Sequence, residues 1–102
     1  MTLDDELKLN KAIYDADQAN LVLENEQFKR AFAMIQQEII DQWKQSPVRD
    51  QEGREKLWSL YMLSQKLENS LKATLATGKL ASKEMEYQRS LPQKVKEFIG
   101  WA

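Results

Sequence analysis

Residues 25–46, NEQFKRAFAMIQQEIIDQWKQS, decide how the chain is read. Phe28, Phe32, Ile35, Ile39 and Trp43 recur at spacings of three and four, while Gln36, Gln37, Glu38 and Asp41 take the other positions. That alternation is the period of an amphipathic α-helix. Asn25 is a capping residue at its start. Pro47 ends it, because proline donates no backbone hydrogen bond and disfavours helical geometry in Ser46 before it.

Downstream, Ser46 to Asp50 form a short turn, and Asp50 caps a second helix with Glu52 and Glu55 near its first turn. Leu57, Leu60, Tyr61, Leu67, Leu71 and Leu75 continue in a three-four repeat, with Ser64 as the one polar step. This repeat fits an antiparallel helical hairpin or a coiled-coil seam. Gly78 is the residue expected to end the helix in a left-handed C′ conformation. The hairpin therefore takes helices near 25–46 and 50–77. Ser82 is placed to cap a short helix through Gln88, and Pro92 to open a last one carrying Val95, Phe98 and Ile99.

Upstream, Thr2 caps a first helix whose opening acids Asp4, Asp5 and Glu6 suit the positive end of the helix dipole. Its apolar stripe of Leu3, Leu7, Ile13, Ala16 and Ala19 is thin and alanine-rich, which suits either a close or a loose packing. Leu21, Val22 and Leu23 are expected to fold back on the body. The fold class is all-α: a helical hairpin with additional N- and C-terminal helices. The organisation expected is a helical domain over 1–90 and an amphipathic C-terminal tail over 91–102.

Composition narrows the functional classes. The 102 residues are 42% hydrophobic and 30% charged, a globular balance with room for one modest core. With no Cys and no His, disulfides, thiolate nucleophiles and the commonest general base and metal ligand are missing. No Gly-rich phosphate loop, nucleophile elbow or metal-ligand spacing occurs. The pair Glu38 and Asp41 and the run Glu52, Arg54, Glu55, Lys56 read as solvated helix faces. The expectation is a non-enzyme with no catalytic, cofactor-binding or metal-binding residues. An acidic N-terminus without an apolar run predicts a soluble intracellular protein.

Charge and aromatics point to macromolecular contact. Residues 1–26 hold seven acids against Lys8 and Lys11, a net of −5, whereas residues 27–78 and 79–102 each come to +2. Lys79, Lys83, Arg89, Lys94 and Lys96 interleave with Tyr87, Phe98 and Trp101, a mix able to meet phosphates and stack on bases. Glu84, Glu86 and Glu97 dilute it, so nucleic acid is the weaker partner expectation. Trp43 continues its stripe and belongs in or near the core, while Trp58 lies beside the leucine repeat, at the hairpin edge or a subunit interface. Trp58, Phe98, Ile99 and Trp101 are the expected partner-binding residues, since exposed aromatics gain little unless covered.

One resemblance adds to this. Phe28, Ala31-Phe32, Ile40-Asp41-Gln42-Trp43, Asp50 and Arg54-Glu55-Lys56-Leu57-Trp58, followed by Leu67, Leu71 and Gly78-Lys79-Leu80-Ala81, resemble small helical proteins encoded by tailed bacteriophages and prophages. The resemblance spans about half the chain and rests on cap, core and helix-stop positions. It implies a phage origin and a role in DNA packaging or virion assembly, with small terminase subunits as one such class. The acidic N-terminus departs from that class, showing no helix-turn-helix. The resulting expectation is an oligomeric structural or adaptor protein of the host bacterial cytoplasm or the virion. Its partners would be copies of itself and another phage or host protein, with no membrane. The alternative is a host-directed phage inhibitor that blocks a bacterial protein, by acidic DNA mimicry through Asp4, Asp5, Glu6, Asp15 and Asp17.

Overall fold

Three caps set the starts of the helices. In the computed structural model, which describes residues 1–91, Thr2 Oγ1 accepts from the Asp5 amide at 3.2 Å, and the Asp5 carboxylate accepts from the Thr2 amide at 3.4 Å. This reciprocal pair opens α1, Leu3–Glu24. Asn25, in extended geometry, accepts from the Phe28 amide at 2.8 Å and opens α2, Glu26–Gln45. Asp50 accepts from the Gly53 amide at 3.1 Å and opens α3, Gln51–Ser90. The described residues contain no strand, so the fold class is all-α.

The expected helix stop at Gly78 is not one. No glycine among the described residues has a positive φ, and α3 runs 40 residues, straight through Gly78 and Ser82. The separate helix expected from Ser82 is thus the last part of α3. A C′ glycine needs the left-handed conformation to turn the chain; here Gly78 serves a different purpose, described below. The helix anticipated after Pro92 lies outside the described residues.

The chain divides into two compact units, Met1–Asn20 with Lys72–Ala102, and Leu21–Leu71. In the first, α1 meets the second half of α3 through small side chains. Ala16 and Ala19 of α1 and Gly78, Ala81 and Met85 of α3 are buried, and Ala16 lies directly against Gly78. A Cβ placed on Gly78 would overlap the Ala16 methyl and stand 2.9 Å from the Ala12 carbonyl oxygen. The glycine therefore lets two helix backbones approach closely. Of the two packings that the thin alanine stripe permitted, the close one is found. Leu3 and Leu7, counted in that stripe, stay largely in solvent.

In the second unit, α2 lies against the first half of α3. As α2 advances from Gln36 to Trp43, its partner on α3 retreats from Ser64 to Arg54. Gln36 Nε2 donates to Ser64 Oγ at 3.1 Å, and that hydroxyl donates to the Tyr61 carbonyl at 2.6 Å, which accounts for the polar step in the leucine repeat. Phe28 and Phe32 stack at 5.6 Å between ring centroids. No residue from Leu21 to Leu71 is fully buried. Leu21 and Val22, expected to fold inward, are exposed, because Asn25 alone separates α1 from α2 and leaves no loop to turn them under.

Candidate protein-docking site

The turn between α2 and α3 builds the site. Pro47 ends α2, and the Asp50 amide closes the turn by donating to the Pro47 carbonyl at 3.0 Å. Val48, at the turn's tip, is 85% exposed. Ser46 caps the end of α2, its amide and hydroxyl both donating to the Trp43 carbonyl, the hydroxyl at 2.6 Å. One turn into α3, Arg54 reaches back. Its Nη1 lies 3.2 Å from the Trp43 and Ser46 carbonyl oxygens and 2.9 Å from Ser46 Oγ. The Trp43 carbonyl, which already accepts from Ser46, and the Ser46 carbonyl lie at the negative end of the α2 dipole, where a guanidinium is well placed. The same guanidinium sits 4.2 Å from the Trp43 ring centroid, a cation–π contact.

The clamp leaves part of the indole in solvent. Trp43 is 43% exposed, so of the two placements expected, in or near the core, it takes the one at the edge, with the Arg54 guanidinium over one face of its ring. Trp58, two turns into α3, is 61% exposed. Between the two indoles runs a cleft of about 410 Å³, lined by Trp43, Val48, Gln51, Arg54, Glu55 and Trp58. A smaller hollow of about 130 Å³ adjoins it through the same two indoles, with Ile39, Ile40, Leu57 and Tyr61 as its other walls. Apolar walls rimmed by an amide, a carboxylate and a guanidinium can take an apolar side chain, with polar groups at the edge to orient it.

The other expected site residues fall elsewhere. Lys79, Lys83 and Arg89 are on the second half of α3, in the first unit, and all three are exposed. Glu84 and Glu86 are interspersed with them and exposed as well. Phe98, Ile99, Trp101, Lys94 and Lys96, and with them the tail, lie outside the described residues. Asp41 of the carboxylate pair accepts from Gln37 Nε2 at 2.9 Å. No group of three potential metal ligands occurs among the described residues. None of the described helices is long and apolar enough to cross a membrane.

Arg54 is the residue that sequence reasoning missed, having been grouped with solvated charges at a helix start. Its neighbours Lys56 and Glu52 do form a solvated pair at 3.4 Å. A tryptophan one turn before a proline stop, followed by an arginine one turn past the next cap, was the available signal. Comparison with protein-family models, with curated proteins and with solved structures finds no match for the chain.

Proposed function

We propose that the chain is a non-enzymatic structural or adaptor protein that works by self-association and by docking a protein partner, in phage DNA packaging or virion assembly. In this reading α2 and the first half of α3 act as an antiparallel helical hairpin, which displays Trp43 and Trp58, and the rest of the chain adds helices at either end. The observation that carries the reading is the open cleft between those indoles. Large aromatics left in water at a preformed concavity are the residues that most often dominate protein–protein contacts. The absence of any buried residue from Leu21 to Leu71 supports self-association, since small helical scaffolds commonly complete their cores with another chain. The phage context rests on the resemblance of residues 28–81.

Acidic mimicry of DNA draws less support. Asp5 is tied to Thr2 as a cap, and Asp15 lies 3.6 Å from Lys11, so two of the five acids serve α1 itself.

The test is the solution mass by light scattering, with and without a duplex DNA of about three helical turns. A defined multiple of 12.0 kDa is expected for an assembly component, and a further rise with DNA would tie it to packaging. A particle of 12.0 kDa that stays so at every concentration would overturn the reading.

A further inference from the structure

The apolar residues of α3, Leu63 among them, divide into two stripes. Leu57, Tyr61, Ser64, Leu71 and Leu75 are half-buried, whereas Leu60, Leu63 and Leu67 are 50%, 63% and 50% exposed. At 3.6 residues per turn these three leucines, spaced three and four apart, occupy one flank of the helix. Trp58 and Met62 occupy the opposite flank, the one that carries the cleft. On α2, Ile40 lines the cleft side with Trp58, and Ile35, 50% exposed, falls on the other side. Both helices share the cleft on one flank, so they share the opposite flank too. Ile35, Leu60, Leu63 and Leu67 thus form one apolar face.

We propose that this face docks a second copy of the same chain, two helix pairs meeting across a two-fold axis as a four-helix bundle. The inference deepens the self-association proposed above and rests on it. Three observations favour a copy over a foreign partner. Leucines at alternating three and four spacing form a ridge that fits the grooves of a like helix, and an isologous contact needs a self-complementary surface. The charge permits it: residues 21–71 hold eight acids and seven bases, and Glu38 and Lys56, both exposed, flank the face with opposite signs. A strongly charged partner would meet a rim of one sign instead. Size is the third. The four side chains leave roughly 400 Å² of apolar surface in water. That is about half of the roughly 800 Å² each partner gives to a stable interface, before the intervening polar residues are counted.

The experiment compares the wild-type chain with Leu63→Glu, Leu67→Lys and Trp58→Ala by light scattering, with far-ultraviolet circular dichroism on each. Both leucines are exposed, so helicity should be kept while each charged variant falls to half the wild-type mass or less. Trp58→Ala, on the cleft flank, should keep the wild-type mass. A wild-type assembly that survives both leucine substitutions would remove this face and leave self-association standing. Loss of the assembly in Trp58→Ala alone would move the contact to the cleft and overturn the proposal. A wild-type chain of 12.0 kDa throughout would end both readings and leave the face to a foreign protein.

Discussion

Gly78 shows how much one missing atom can decide. In an ordinary helix interior, alanine is about 1 kcal/mol better than glycine. Here the added methyl would run into Ala16 and the Ala12 carbonyl, both fixed in a neighbouring helix. Overpacking of this kind costs about 1–3 kcal/mol, so Gly78→Ala should lower stability despite the gain in propensity. Urea unfolding followed by circular dichroism should show a lower midpoint. At Gly53 the atoms nearest to an added methyl are those of the Asp50 carboxylate, a side chain that can move, so Gly53→Ala should cost little beyond the cap. Thr2 and Asp5 offer a second residue-level test. The side-chain and backbone hydrogen bonds to Thr2 hold the Asp5 carboxyl below the usual aspartate value. A lowered carboxyl pKa favours the folded cap at all pH above the unfolded aspartate value, and the benefit fades as pH falls through the lowered one. Thr2→Ala should return Asp5 toward an ordinary titration, read by NMR of its carboxyl carbon.

At the scale of elements, the boundaries that local chemistry dictates were legible, and those set by distant neighbours were not. Asn25, Ser46-Pro47 and Asp50 act within their own turn, so the limits of α2 and the start of α3 follow from their residue types. The run of α3 through Gly78 depends on Ala12 and Ala16, some 60 residues away in sequence, and no local signal carries it. The leucine repeat misled for a related reason. Seven-residue spacing places residues on a broad apolar surface but does not say which flank finds a partner within the chain. Arg54 joins two elements. Removing it takes one donor from the Trp43 and Ser46 carbonyls and uncovers one face of Trp43, so Arg54→Ala should destabilise the pairing by about 1–2 kcal/mol. Tryptophan fluorescence during urea unfolding should report the loss, and Arg54→Lys should recover only part of it, since an ammonium lacks the planar fork.

For the whole molecule, composition and charge separated broad classes and could not name a site. The exposure of Trp58 was legible, because an aromatic beside a packed stripe lies at an edge. The cleft beside it was not, since it needs Trp43, Val48 and Arg54 brought together by a turn whose course sequence does not give. The two units also differ in what holds them. Residues near Gly78 are joined by methyl groups and backbone contact, while Leu21–Leu71 is joined along one seam of half-covered side chains. That second arrangement has a calorimetric consequence. The heat capacity gained on unfolding grows with the apolar area that folding had hidden, and a seam that hides little contributes little. A lone chain would then melt over a broad range, with stability nearly flat in temperature. Covering the open face with another chain would sharpen the transition and bend the stability curve, so the breadth of the melt is itself a gauge of how much of the protein is complete.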